Sequence, residues 1–277
     1  MKFQYLGTSG SEGIPALMCA CQNCARTRKI GGRAFRTHAQ AIVDGKLLID
    51  FPGETLVHTY MHNVDLLGVT DCLVTHSHYD HLLLADLAIF RPNQSRPTEG
   101  WHMTFHASKT VGEEISRQME GKLEELDIFS FEALEEYVPK IIGDYTVTPL
   151  KAIHSVKSGP LLYQISDGEK TVLYGTDTHY FDDSVWEHFE KTTPYFNMVT
   201  LDCTNACKPM NYKGHMSLEE NLKVRDRMVK MGVADEKTQF VCTHFSHNGT
   251  NVVYDDFVPI ASKEGFIVSY DGMILDI

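Results

Sequence analysis

The strongest constraint on this chain is the segment 75–81, Thr-His-Ser-His-Tyr-Asp-His, which follows the apolar run Cys72-Leu73-Val74. Neutral imidazole and ionised carboxylate are the usual nitrogen and oxygen ligands of zinc-like cations. The chain holds fourteen histidines, so two of them close together could arise by chance. Three histidines and an aspartate at the end of one strand are much harder to explain by chance. They are also hard to explain as a polar loop whose histidines only pack against the core. The segment therefore predicts a metal site.

The spacing H-x-H-x-D-H of residues 76–81 resembles the signature of the metallo-β-lactamase-fold hydrolases. That family needs three further ligands downstream, each at a strand end: a lone histidine, a bridging aspartate and a last histidine. His154, Asp177 and His244 follow strand-like segments in that order. Asp50, after Leu47-Leu48-Ile49, resembles the aspartate that supports the site. The resemblance therefore extends over the whole chain.

The resemblance implies two metal ions in one catalytic site. The implied ligands are His76, His78 and His154 for the first ion, Asp80, His81 and His244 for the second, and Asp177 as the bridge. Two divalent cations about 3.5–4 Å apart share a water and lower its pKa. Both ions are expected to be zinc or manganese, and nickel and iron are left open. Five of these ligands are neutral imidazoles, so the metal pair keeps a net positive charge, which suits an anionic ester. We also count Asp80 as a catalytic residue as well as a ligand.

A proton donor for the leaving group is expected in Gly214-His215-Met216-Ser217, beyond the strand-like segment 198–204. The same order occurs in the phosphodiesterase branch of the superfamily, and this resemblance implies that His215 contacts the scissile phosphate as general acid. A histidine near its ordinary pKa of about 6.5 can do this work. Ser217 and Glu220 also form an S-x-x-E capping box, so the loop has a structural interpretation too. The catalytic and the structural interpretation of this loop are compatible.

The cysteines predict a second kind of metal site. Seven cysteines and the absence of an apolar N-terminal segment argue against a disulfide framework and favour the cytoplasm. Cys19, Cys21 and Cys24 have the spacing of a structural zinc site, which needs four ligands. His247 is the expected fourth, and Cys203 and Cys207 are the alternatives. The cluster resembles that of the carbon–phosphorus lyase accessory phosphodiesterases, a subgroup with a Cys3His zinc.

Strand and helix patterns predict one α/β domain over residues 1–277, a four-layer αββα sandwich of the metallo-β-lactamase kind. Asp-Gly turns predict hairpins over 41–49, 161–173 and 265–277. Helical spacing predicts helices over 54–62, 109–126, 184–191 and 217–231. The glycine-rich residues 7–13 are expected to form a loop beside the metal site. Five further histidines are assigned to packing or the surface: His58, His62, His102, His106 and His188.

The net charge of −12 argues against nucleic acid as a partner, and no apolar run is long enough for a membrane span. The expected partner is a small phosphodiester, with a homodimer left open. A monoester would need an additional cation that this acidic chain does not obviously supply, so diesters should be preferred.

The leading function is hydrolysis of a small cyclic ribose or nucleotide phosphate. The alternatives are a transfer-RNA 3′-processing endonuclease, a thioester hydrolase and a non-enzymatic metal-binding module. The middle section, residues 91–140, is longer than in that subgroup and leaves the substrate open.

Overall fold

The computed structural model describes residues 1–90, 94–120, 128–209, 213–248 and 252–277. These residues form two seven-stranded sheets, with strands numbered in chain order. The first sheet has the order β14-β1-β2-β3-β4-β5-β6, and the second has the order β13-β12-β11-β10-β9-β8-β7. The strands are β1 Lys2–Gly7, β2 Gln40–Val43, β3 Leu47–Ile49, β4 Asp71–Leu73, β5 Met103–Ala107, β6 Phe129–Ala133, β7 Lys140–Ile142, β8 Tyr145–Lys151, β9 Leu161–Ser166, β10 Thr171–Gly175, β11 Met198–Asp202, β12 Gln239–Thr243, β13 Phe266–Val268 and β14 Ile274–Asp276.

The described α-helices include the four that the sequence predicts. They are α1 Gln22–Ile30, α2 Thr55–His62, α3 Lys109–Gln118, α4 Asp183–Thr192, α5 Leu218–Met231 and α6 Tyr254–Lys263. The predicted continuation of α3 over residues 121–126 lies outside the described residues. The patterns above do not predict α1 or α6. No helix in the described part of the chain is long and apolar enough to cross a membrane.

Alternation along each strand produces four layers. In β10, Val172 and Tyr174 are buried in the cluster between the two sheets, whereas Leu173 packs in the outer cluster with Trp186 of α4. On the first sheet, Leu48 of β3 faces outward into a cluster that contains Val111 of α3. Because successive strand side chains point to opposite faces, each sheet buries one face against the other sheet and one against helices. The predicted αββα sandwich is confirmed.

Two of the three predicted hairpins are confirmed. The Asp44-Gly45 turn joins β2 to β3, and the turn at Gly168 joins β9 to β10, both antiparallel. The hairpin predicted over residues 265–277 is wrong, because β13 pairs in parallel with β12 while β14 pairs antiparallel with β1 of the other sheet. The chain crosses between the sheets there, and Asp271 accepts hydrogen bonds from Thr8 and Thr37 of the opposite sheet's loops.

Three residues of the predicted site turn the chain sharply as it leaves a strand. Asp50, Asp177 and His244 follow β3, β10 and β12 with φ angles of +67°, +51° and +59°. Residues with side chains rarely adopt this left-handed conformation, which costs free energy. The turns occur where the two sheets bring their strand ends together, so all three side chains are near one another at one end of the sandwich.

Candidate metal centre

The first cluster contains three imidazole nitrogens from two loops. Nδ1 of His78 lies 2.9 Å from Nε2 of His76 and 3.2 Å from Nε2 of His154. The other ring nitrogen of His154 donates to the carbonyl of Gly214 at 3.0 Å, so its Nε2 presents a lone pair. An N–H at Nδ1 of His78 points to only one of the other two nitrogens at a time, so hydrogen bonds among the three rings satisfy them less well than a cation does. The cluster is therefore suited to a metal ion.

The second cluster places buried polar atoms together without hydrogen bonds. Nε2 of His81 and Nε2 of His244 lie 3.2 and 3.1 Å from Oδ2 of Asp177, yet none of these three atoms has a hydrogen-bond partner among the described residues. Oδ2 of Asp80 lies 3.3 Å from Nε2 of His81. Buried polar groups are normally paired, so such a set is typical of atoms that bind a cation.

Asp177 lies between the two clusters. Its Oδ1 is 3.9 Å from Nε2 of both His76 and His154, while Oδ2 faces His81 and His244. One carboxylate can thus reach both clusters, as the sequence predicts for a bridging ligand. All seven predicted residues are gathered here by the fold: His76, His78, Asp80, His81, His154, Asp177 and His244.

Asp50 orients the second cluster from behind. Its Oδ2 lies 2.8 Å from Nδ1 of His81, and its carboxylate accepts from the backbone N–H and hydroxyl of Thr75. A carboxylate that accepts from one ring nitrogen fixes the other as a ligand atom. Burial would lower the pKa of His81, but the carboxylates of Asp177 and Asp50 outweigh it and raise that pKa well above its usual range. The pocket therefore favours positive charge, which fits the divalent ions that the ligand types imply.

His215 lies at the edge of the first cluster, in the loop before α5. Its ring centroid is 4.9 Å from that of His154 and 5.4 Å from that of His244, and it stacks on the latter. Nδ1 donates to Oδ2 of Asp202 at 2.7 Å. Burial would lower the pKa of His215, but Asp202 raises it to about 9. The predicted capping box of Ser217 and Glu220 is present and holds the loop at the start of α5.

The fully buried carboxylate of Asp202 has no role predicted from the sequence, yet it connects much of the site. Its Oδ1 accepts from the backbone N–H groups of Thr204 and Met216, and its Oδ2 accepts from that of Asp177. Oδ2 also lies 3.4 Å from Nδ1 of His244. The acidic end of segment 198–204 belongs to the order that resembles the phosphodiesterase branch, but that order does not indicate which groups the carboxylate binds.

The predicted cysteine cluster is also assembled. The three thiols and an imidazole nitrogen lie within 4.8 Å of one another: Cys19, Cys21, Cys24 and His247. Nδ1 of His247 is 3.7 Å from Sγ of Cys19 and 3.4 Å from Sγ of Cys21. The backbone N–H of Cys24, with a smaller effect from His247, lowers the pKa of Cys21 to about 6. Thiol groups that ionise readily are good zinc ligands.

The two alternative cysteines lie elsewhere. Cys203 is fully buried in the outer apolar core of the second sheet, and Cys207 is exposed. Neither joins the group formed by the N-terminal thiols and His247.

A cavity of about 400 Å³ opens onto both histidine–aspartate clusters. Its lining includes Gly10, Ser11 and Glu12 of the glycine-rich loop, as predicted. A Cβ atom added at Gly10 would lie 3.1 Å from Cε1 of His244, so the loop passes directly over that ring. Lys208 also lines the cavity, and its ammonium is a cation that the acidic composition does not make obvious. A single lysine in a loop carries no sequence signal of this role.

The remaining histidines of the prediction lie in none of the described clusters of ligand atoms. His58 is fully buried and bonded to Gln40 and Thr37, and His62 bonds to the backbone carbonyl of Leu6. His106 lies 2.8 Å from Asp71 on the neighbouring strand. These contacts fit the predicted packing role.

Comparison with known proteins agrees with this geometry. The profile of a family described as "Beta-lactamase superfamily domain" matches residues 51–245, which contain both histidine–aspartate clusters. No curated protein sequence matches the chain significantly.

Solved structures share the fold over nearly the full length. A diphosphatase from the PhnP family is 18% identical over 99% of this chain and 97% of the other, with a TM-score of 0.74. Zn(2+)-bound PqqB from Methylobacterium extorquens is 15% identical over 100% of both chains, with a TM-score of 0.72. The short form of human tRNase Z is 15% identical over 100% of this chain and 99% of the other, with a TM-score of 0.66. At these identities the likeness shows a shared fold.

Proposed function

Because this chain belongs to the β-lactamase superfamily, we propose that it is a dinuclear metal-dependent phosphodiesterase acting on a small phosphodiester. The observation that carries the proposal is the placement of His215, held by Asp202, on the wall of the cavity that the two ligand clusters share. A phosphodiester needs charge neutralisation at phosphorus and a proton for the leaving oxygen. The clusters and His215 supply side chains for both.

The two histidine–aspartate clusters would hold zinc or manganese, and Asp177, which lies between the clusters, would serve both. Bound there, the ions would provide a hydroxide near neutral pH and neutralise the charge that develops on the phosphate. The chain's own contribution is orientation. Asp50 fixes His81, and the Gly214 carbonyl fixes His154, so that each presents a lone pair to the site.

His215 would protonate the leaving alkoxide. A general acid must hold its proton at the working pH, and the Asp202 carboxylate favours that form by raising the pKa of His215 to about 9. Asp202 also bonds the backbone of Met216, the residue after His215, so ring and loop are held by one carboxylate. Preorganised groups of this kind lower the barrier because they need not reorganise during the reaction.

The cavity supports a small substrate. Its volume of about 400 Å³ lies at the lower end of ligand pockets and suits a sugar or nucleotide phosphate. Lys208 would neutralise a further anionic group of that substrate. The net charge of −12 would repel an extended RNA, and the described cavity residues include one lysine to bind its phosphates. Both observations disfavour the processing endonuclease.

The cysteine cluster would bind one structural zinc through Cys19, Cys21, Cys24 and His247. Cys3His is a common ligand set of structural zinc, and a closed set of four leaves no position for substrate. The site would therefore contribute stability rather than chemistry.

The test is a substrate panel with metal-reconstituted protein: 2′,3′-cyclic nucleotides, linear phosphodiesters, phosphomonoesters, precursor transfer RNA and thioesters. Diester hydrolysis that depends on added metal supports the proposal. Thioester or monoester hydrolysis without diester hydrolysis contradicts it, and cleavage of precursor transfer RNA alone favours the endonuclease.

A further inference from the structure

The two kinds of metal cluster share one short segment of backbone. His244, at the end of β12, points Nε2 at Asp177, and His247, three residues later, points Nδ1 at Cys19 and Cys21. The residues between them are bound on both sides. Phe245 exchanges backbone hydrogen bonds with Thr8 and Gly10, and Ser246 donates its backbone N–H to the carbonyl of Thr204. Because these backbone bonds hold the segment, a displacement of His247 would be transmitted to the residues of the cavity wall.

Glu12 bonds to this segment from the glycine-rich loop. Its Oε1 accepts from Oγ of Ser246 at 3.0 Å and from Nδ2 of Asn248 at 2.8 Å. The same oxygen lies 4.0 Å from Nε2 of His247, the ring nitrogen that faces away from the thiols. Ligand histidines commonly present their second nitrogen to a carboxylate, which orients the ring and raises its basicity. Glu12 faces this nitrogen at an ion-pair distance, which is longer than a direct hydrogen bond.

Glu12 also lines the cavity, together with its partners Ser246 and Asn248. One carboxylate thus touches the residues of the cavity wall and faces the histidine of the cysteine cluster.

We propose that Glu12 is a positioning residue that couples the cysteine cluster to the substrate cavity. It orients His247 towards the thiols and, through the same oxygen, fixes Ser246 and Asn248 in the cavity wall. When the cluster holds its metal, the wall is set for substrate. When the cluster is empty, His247 is released, Glu12 shifts and substrate binds less tightly. The inference rests on the proposed function for its substrate, but the link between cluster and wall does not.

The experiment compares Glu12→Gln with Glu169→Gln, a matched change in the exposed turn between β9 and β10. The first readout is the release of cluster metal to a chromogenic chelator, which needs no turnover. Glu12→Gln should release it about 10–100-fold faster, because the histidine loses its carboxylate. The second readout is the split between KM and kcat for bis(p-nitrophenyl) phosphate. KM should rise several-fold with kcat nearly unchanged, since Glu12 does not touch the reacting atoms.

Cys21→Ser tests the coupling itself. It should raise KM as Glu12→Gln does, and the double variant should add little, because both changes act on one connection. Normal metal release in Glu12→Gln, or fully additive effects on KM, would overturn the proposal. Where Cys21→Ser does not fold, Glu12→Gln decides alone through release rate and KM. If the wild-type protein hydrolyses no phosphodiester, the proposed function fails, and the coupling is judged from the release rate and from calorimetric affinity for inorganic phosphate.

Discussion

Asp202 and His215 form a buried carboxylate–imidazole pair, with 2.7 Å between Oδ2 of the aspartate and Nδ1 of the histidine. Asp202 is fully buried and the His215 side chain is 15% exposed, so water screens their interaction weakly. The pair links the end of β11 to the loop before α5. Its position beside the ligand clusters makes it the most direct target for mutation.

His215→Ala should lower kcat by roughly 10²–10⁴-fold for diesters with poor leaving groups, because the alkoxide loses its proton donor. The loss should be much smaller for bis(p-nitrophenyl) phosphate, whose phenolate departs without protonation. Steady-state kinetics on the two substrates measures the difference, and metal analysis serves as the control. Equal losses on both would mean that His215 binds phosphate or positions a ligand instead.

Asp202→Asn should shift the alkaline side of the pH–rate profile. The proposed mechanism requires protonated His215, so activity should be present below the pKa of that residue and lost as the pH rises through it. Asp202 raises this pKa to about 9 against the lowering effect of burial. Removing the charge should therefore move the loss of activity to lower pH. A profile that keeps its alkaline limb while only its height falls would exclude His215 as the titrating acid.

The purified protein should contain about three metal ions per chain, two in the histidine–aspartate clusters and one among the cysteines. Asp177→Ala should lose the first two, abolish turnover and remain folded, because its carboxylate faces both clusters. Elemental analysis with circular dichroism checks both statements. A reproducible single ion, with no gain in activity on adding metal, would rule out the dinuclear site.

Cys21→Ser should lower thermal stability, because zinc bound by a closed ligand set contributes directly to the free energy of folding. Cys207→Ser is the control, since this exposed thiol lies outside the cluster. Differential scanning calorimetry and zinc content give the result. Unchanged stability and zinc in the Cys21 variant would refute a structural zinc there.

Lys208→Ala should raise KM for substrates that carry a second anionic group. A matched pair is thymidine 5′-(p-nitrophenyl phosphate) with and without a 3′-phosphate. The loss should be about 10-fold or more on the phosphorylated compound and small on the other, since an ammonium near an anion in a cavity contributes on the order of 1 kcal/mol or more. Lys208→Arg should restore most of the affinity. Equal effects on both compounds would assign Lys208 to the scissile phosphate or to the loop.

The local parts of this structure follow from sequence. Alternating apolar residues predict the strands, and the two Asp-Gly hairpins form where the flanking strands pair with each other. The Asp-Gly turn at 271–272 misleads, because a turn motif contains no information about which sheet each flanking strand joins. That choice depends on β1 and β12, which lie far away in the sequence.

The candidate site also has a part that can be predicted from sequence and a part that depends on the fold. Its seven histidine and aspartate ligand candidates have a spacing and an order that the superfamily shares, so they can be predicted. Asp202, Lys208 and Glu12 could not be, since only the fold brings each of them beside the cavity or its histidines. Glu12, for example, meets Asn248 across more than two hundred intervening residues. The cytoplasmic location and the single domain stay predictions, and the homodimer stays open.

The left-handed turns at Asp50, Asp177 and His244 carry a consequence for protein engineering. Glycine would occupy each of these positions with less backbone strain, so replacements there can favour folding while removing the carboxylates and imidazole of the candidate metal centre. Selection for heat resistance alone would tend to enrich such inactive chains. A directed-evolution campaign on this protein should therefore screen for turnover and thermal tolerance together.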